Sequence, residues 1–168
     1  MIRGKVTTRV KDRGFNFMRK KLGRLDGQGF DVGYWGEDKY PPRPGDKPDA
    51  KVLTTVDTAA MAEFGTDTSP RRPFQRETFR RSFVNLNQAI RVLYNRMLAD
   101  PAYSEDMLLR KLGRNYRIEM QKTIADAKSW AAPNAPATVK KKGHNSPLLE
   151  RYRMIARIKM RIGRRIDR

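Results

Sequence analysis

His144 is the only histidine in the chain, and it lies in Gly143-His144-Asn145-Ser146, a polar stretch suited to an exposed loop. A lone imidazole gives His-pair metal sites and the Ser/His/Asp arrangement little to draw on. The acids are scattered and form no DxD or ExxE set with metal spacing. Cysteine is absent, which removes disulfides and thiolate metal sites. The glycines between Gly23 and Gly36 lack the Gly-Lys-Ser/Thr ending that would set a lysine and a hydroxyl on a nucleotide. Trp35 and Trp130 stand singly beside loops, as plugs of a core or an interface; Tyr34-Trp35 with nearby Arg43 leaves stacking on single-stranded nucleic acid open. No enzyme, cofactor or metal site is expected from these residues.

The chemistry that the composition does favour is electrostatic. With 37 Lys+Arg against 18 Asp+Glu, the formal net charge is +19 over 168 residues. Such a surplus points to a polyanionic partner, either nucleic acid or an acidic protein face. The opening carries Arg3, Lys5, Arg9, Lys11, Arg13, Arg19, Lys20, Lys21 and Arg24 against Asp12. The close carries Lys140, Lys141, Lys142, Arg151, Arg153, Arg157, Lys159, Arg161, Arg164, Arg165 and Arg168 against Glu150 and Asp167. No run approaches the length of a membrane span, and the basic start is followed by no apolar segment of a signal peptide.

The elements that must carry these groups follow from periodicity. Val6, Val10, Phe17, Met18, Leu22 and Leu25 among cations predict a helix from about Thr8 to Leu22, with Gly14 a weak point in its middle. Phe30, Val32 and Tyr34 alternate with polar residues and predict a strand. Pro41, Pro42, Pro44 and Pro48 forbid a helix, so residues 36–50 are expected as a loop or arm, with a returning strand over 51–56. Phe79, Phe83, Leu86, Ile90, Leu93 and Met97 recur at steps of four and three and predict a long helix whose stripe is core, ended by Asp100-Pro101. Ser104 is a candidate N-cap for a second helix reaching about Ser129, so that residues 75–129 form a helical hairpin. Gly113 within it is either a weak point or a close-packing contact. Residues 131–147 are expected as an extended loop. For 148–168, alternation at Ile158, Met160 and Ile162 predicts a strand, while Leu149, Tyr152, Ile155, Ile158, Ile162 and Ile166 also fit a helix. The whole reads as one α+β domain: a small antiparallel sheet, an N-terminal helix, a long helical hairpin and basic termini.

The chain is organised around Thr58 to Phe79. A short helix ends at Gly65, Pro70 and Pro73 bracket two arginines, and Phe64 and Phe74 are expected as the buried pegs that pin the crossing, with Gly65 and Pro73 shaping it. An ordinary turn with two buried aromatics is the alternative. The run AEFGT, a polar loop and PRRPF before a helix resembles the head–tail joining proteins of tailed phages. More narrowly, it is similar to the tail-completion or neck proteins of phage HK97 and the virion-morphogenesis family of phage Mu. Trp130-Ala-Ala-Pro133, Pro136-Ala-Thr138-Val-Lys140, Lys142-Gly143 and Pro147-Leu148-Leu149 match a second motif in order, with Glu150-Arg151 where the family has Thr-Gly. Phe30-Asp-Val-Gly33 stands where the family has its first strand.

The resemblance implies a structural virion protein of the neck, made in the host cytoplasm, with no catalytic role. It implies a ring homo-oligomer, commonly six-fold, meeting neighbouring neck, connector or tail proteins around a channel for genome DNA, with no membrane partner. In that setting the expected interface residues are Tyr40, Pro41, Pro42 and Arg43 on the proline-rich tip, and Trp130, Pro133, Pro136, Lys140, Lys142 and His144 in the later loop. Arg161, Arg164 and Arg165 would belong to a basic end that meets acidic faces. The rival expectation, from charge alone, is a basic nucleic-acid-binding protein; a small basic enzyme is a third.

Overall fold

Helix α4 (Glu105–Ala125) is the element against which most of the others pack. A computed structural model describes residues 15–36, 38–39, 53–149 and 153–164. Helix α4 starts where the sequence predicts it: the Ser104 hydroxyl accepts from the Met107 amide at 3.2 Å, and Glu105 and Asp106 occupy the first turn, where the helix dipole favours negative charge. Helix α3 (Phe74–Ala99) lies along one side of it and is joined to it by a five-residue turn, 100–104. The other side carries a two-stranded antiparallel sheet of β1 (Gln28–Gly33) and β2 (Lys159–Arg164). Together with α1 (Phe15–Leu25), α2 (Thr55–Phe64), α5 (Ala127–Trp130), α6 (Pro136–Lys142) and α7 (Arg153–Ala156), they make a small α+β fold.

The register pairs Phe30 with Ile162 and Val32 with Met160, and these four supply the apolar face toward α4. Gly113 is the point of closest approach. A Cβ there would fall on the Met160 thioether and come within 3.1 Å of the Phe30 ring, so the glycine is a packing contact between helix and sheet. Asp31 and Arg161 face each other on the outer side. The strand alternative for the close of the chain is thus the observed one.

Among the described residues the partner of β1 is β2, and 53–56 of the predicted returning strand over 51–56 form no strand. Thr54 makes only an isolated bridge with Lys39, and α2 begins at Thr55. The cause is a capping box: Thr54 Oγ1 accepts from the Asp57 amide at 3.0 Å, and the Asp57 carboxylate accepts from the Thr54 amide at 3.0 Å. Two helix-end donors satisfied by one pair of side chains outweigh the strand preference of Thr54, Thr55 and Val56. Residues 131–147 also differ from the expected loop, because Pro136 sits in the first turn of α6, where a missing amide costs nothing. Helix α1 is seen from Phe15 and runs three residues past Leu22, to Leu25; the predicted start at Thr8 falls outside the described residues, as do 40–50 of the proline-rich arm and 51–52 of the predicted returning strand.

Two apolar clusters form the core. One joins Phe74, Ala59, Met120, Ile124, Ala127, Leu148, Met154 and Ile158 around the start of α3 and the end of α4. The other joins Leu93, Met97, Tyr103, Leu108, Leu109 and Leu112 at the turn between them, with Leu25 and Phe30 against it. Lys21 docks α1 onto this second cluster. Its buried Nζ donates to the carbonyls of Met97 (2.7 Å), Asp100 (2.8 Å) and Tyr103 (2.7 Å), using all three ammonium protons at the C-terminus of α3. The Phe17 ring lies 4.8 Å beneath it. Lys21 is therefore part of the interior, not of the solvent-facing basic arm, while Met18 and Leu22 of the predicted apolar face stand exposed.

Candidate interaction surface

The crossing between α2 and α3 is held differently from the expected pair of aromatic pegs. Phe74 is fully buried and meets the Tyr34 ring edge-on at 6.1 Å, but Phe64 is 69% exposed. The buried residue of that turn is the preceding one. Glu63 Oε2 accepts from the Gln75 amide at 2.9 Å, and Oε1 lies 3.4 Å from Arg76 Nε. Pro73 offers α3 no side-chain cap, so the Glu63 carboxylate supplies one from the neighbouring helix and complements the dipole. Gly65 has φ +80° and would place a Cβ 2.9 Å from the Arg71 amide nitrogen, which restricts the position to glycine.

Arg72 then ties the crossing to the later loop. Its Nε donates to the Ala132 carbonyl at 2.8 Å, and Nη2 to the Pro133 carbonyl at 3.1 Å and Asn134 Oδ1 at 3.3 Å. Its own amide donates to the Ala62 carbonyl at 2.6 Å. Burial lowers the guanidinium pKa from its usual value. The PRRPF run and the Trp130-to-Pro133 run, separated by some sixty positions, are one structural unit. Sequence reading missed Arg72 and Glu63 as the agents; the only local hint was a proline placed to hold Arg72 extended.

Trp130 is partly buried and donates from Nε1 to the Thr123 carbonyl at 2.9 Å, so it closes the end of α4 from within. Pro133 and Pro136 are exposed. Lys140 is exposed, whereas Lys142 Nζ reaches the Leu149 carbonyl at 3.3 Å. His144 is exposed and its Nδ1 accepts from the Ser146 amide at 3.2 Å, a local turn contact. Arg161 lies over the Trp35 ring at 4.3 Å, which accounts for that tryptophan within the chain itself. Arg164 ends β2. Tyr40, Pro41, Pro42, Arg43 and Arg165 lie outside the described residues. The basic face of β2 is partly engaged at home: Lys159 Nζ meets Asp38 Oδ2 at 2.6 Å, and Arg157 Nη1 donates to the Lys39 carbonyl at 3.0 Å.

The larger departure from expectation is on α3. Its predicted stripe reaches the core only at its C-terminal end: Leu93 and Met97 are buried and Leu86 half-buried, but Phe79 is 50% and Phe83 48% exposed, with Ile90 also exposed. The two phenylalanine rings pack on each other at 5.5 Å and 60°. The reason is a shift of face. Phe74, Thr78 and Ser82, at successive steps of four, take the buried side in the first half of the helix, with the Thr78 and Ser82 hydroxyls donating to the carbonyls four residues back at 2.7 Å each. A hydroxyl that bonds its own helix can be buried without a partner from outside. Phe79 and Phe83 are displaced to the rim.

Beside this rim a cleft of about 290 Å³ opens between α3 and α4, with Ser82, Leu86, Ala89, Tyr116 and Ile118 in its lining. Burial raises the Tyr116 pKa, with the nearby Glu63 charge adding to it. Ion pairs border the same helices. Arg80 and Arg81 hold Glu77 at about 2, and Arg81 also reaches Asp126 at 2.7 Å. Among the described residues no group of three or more His, Asp or Glu is placed to hold a metal ion, and no helix is long and apolar enough to cross a membrane. Compared with known proteins, the chain matches no family model, no curated protein and no solved structure.

Proposed function

We propose that the chain is a structural subunit of the neck of a tailed phage, a virion protein that completes the tail or joins the head connector to it. The observation that carries an assembly role is the aromatic rim of α3: Phe79, Phe83 and Ile90 stand exposed on a chain whose surface is otherwise heavily charged. Contiguous exposed apolar surface of this kind is characteristic of interaction sites. The motif order supports the neck in particular. AEFGT, PRRPF and Trp130-Ala-Ala-Pro133 resemble neck-protein motifs, and Arg72 and Glu63 give them a shared structural purpose as the clasp beneath two surface segments.

In this reading the subunit forms a ring, commonly six-fold, around the channel for genome DNA. The proline-rich tip and the segment 131–147 reach the neighbouring copies, each subunit using two different patches. The virion neck is its final site and the host cytoplasm its place of assembly. No enzymatic step is involved. The net charge of +19 favours one second reading, a basic nucleic-acid-binding protein. Electron microscopy and mass measurement of the purified chain at high salt, with a duplex-DNA shift assay across salt, separate the two. Rings indifferent to DNA are expected; a monomer with tight, steeply salt-sensitive DNA binding would replace the neck reading with the second.

A further inference from the structure

Asn145 differs from the other asparagines of the chain. Asn16, Asn85, Asn87, Asn95 and Asn115 lie inside α1, α3 and α4, where the hydrogen-bonded ladder fixes the backbone torsions, and a long or bulky side chain follows each of them. Asn134 lies outside a helix but is only 8% exposed. Asn145 is exposed, belongs to neither helix nor strand, and precedes Ser146, whose side chain is small.

Two hydrogen bonds meet at the Asn145–Ser146 pair. The Ser146 amide donates to His144 Nδ1 at 3.2 Å. A backbone N–H can only donate, so Nδ1 is the unprotonated ring nitrogen and its lone pair faces that proton. Asn145 Oδ1 accepts from the Asn134 amide, also at 3.2 Å. A base therefore stands at a nitrogen and a donor stands at the neighbouring side-chain carbonyl. Joining Ser146 N to Asn145 Cγ closes a succinimide ring, and only rotations about Asn145 ψ and χ1 stand between the two atoms.

We propose that Asn145–Ser146 is a self-modification site, at which His144 promotes conversion of the asparagine to aspartate and isoaspartate through a succinimide. His144 Nδ1 takes the Ser146 amide proton as that nitrogen attacks Asn145 Cγ. Negative charge gathers on Oδ1, where the Asn134 N–H meets it. When the tetrahedral carbon collapses, the Cγ–Nδ2 bond breaks, and the proton held by His144 leaves on that nitrogen as ammonia. Water, the one co-reactant, then opens the ring at either carbonyl. Opening at Cγ gives aspartate; opening at the main-chain carbonyl gives isoaspartate. In the second product the chain runs through Cβ and the free carboxylate is one methylene shorter. That shift draws the acceptor away from the Asn134 amide, beside the Arg72 clasp. The step needs neither a ring nor DNA, so its test is separate from that of the neck reading.

The full chain is aged for days in mildly alkaline buffer and digested with trypsin, and the fragment Gly143–Arg151 is followed by mass spectrometry with electron-transfer fragmentation. The mass gain of an amide-to-acid exchange, with isoaspartate among the products, is expected at Asn145 ahead of Asn134 and the helical asparagines in the same digest. His144→Ala removes the base. His144→Ser keeps a hydroxyl that can accept the Ser146 amide bond but supplies no base. Both variants are expected to convert roughly tenfold more slowly, less than a rigidly held base would supply, because one hydrogen bond holds the imidazole. His144 is exposed, so neither change threatens the fold. A synthetic Gly143–Arg151 peptide, which lacks the Asn134 amide, is expected to convert more slowly than the folded chain. Wild-type Asn145 converting no faster than Asn134 would overturn the proposal. So would a His144→Ser chain as fast as wild type, which would reduce His144 to a turn contact, or a free peptide as fast as the folded chain.

Discussion

Replacing Lys21 by methionine keeps the stem in place and removes the three donors that close the end of α3. The buried Met97 and Tyr103 carbonyls would then lack the ammonium that now satisfies them, while the Asp100 carbonyl keeps the Tyr103 amide at 3.1 Å. Lys21→Met is expected to cost about 2–4 kcal/mol in urea denaturation, since hydrogen bonds from a charged group are lost and buried acceptors are left unpaired. The α2–α3 crossing makes an opposite forecast for its two aromatics. Phe74→Ala should cost about 3–5 kcal/mol as a core truncation, whereas Phe64→Ser should stay within about 0.5 kcal/mol, as surface changes do. Glu63→Ala belongs between them, at about 1–2 kcal/mol, because a helix N-terminus loses its cap. Equal losses for Phe64 and Phe74 would restore the two-peg picture. Glu77 adds a pH signature. Its folded pKa is about 2 against an ordinary 4.5, first through the Arg80 hydrogen bond. A depressed carboxyl contributes stability that is present above the unfolded value and fades as pH falls from about 4.5 to about 2. Glu77→Gln should therefore flatten the acid side of the stability curve in that window, read by denaturation at successive pH values.

At the scale of elements, α4 works because one face has been cleared for the sheet. Gly113 lets β1 and β2 approach, and Gly113→Val should push Met160 and Phe30 away at a cost of about 1–3 kcal/mol, with hydrogen exchange quickening in the strands before the helices. Uniform quickening throughout the described fold would show that helix and sheet open as one unit. Helix α3 illustrates the limit of periodicity. The stripe at 79, 83, 86, 90, 93 and 97 placed the helix correctly from end to end, yet half of it lies in solvent. Thr78 and Ser82 hide their hydroxyls by bonding within the helix, and a hydropathy pattern counts them as polar.

For the whole molecule, a net charge of +19 gives assembly and nucleic-acid binding opposite salt dependences. Association of like-charged copies strengthens as salt screens their repulsion, over a distance of roughly 8 Å at physiological ionic strength. Binding to DNA weakens as counterions return to the phosphates. Sedimentation between low and high salt is expected to show a growing assembled fraction; an assembled fraction that shrinks with salt would speak for the nucleic-acid reading.

The sequence alone determined what neighbours along the chain decide: the Ser104 cap, the stop at Asp100-Pro101 and the length of α3; it left strand and helix both open for the close of the chain. Each feature it determined depends on groups within a turn or a few residues, where pattern and energy coincide. Tertiary structure decided which face of each helix is dry, that β1 pairs with β2, and that Lys21, Glu63 and Arg72 are interior ties. Those outcomes hang on partners distant in the chain, such as Lys21 and Met97, 76 positions apart. A charged side chain reads as surface until folding brings it carbonyls or an amide to bind.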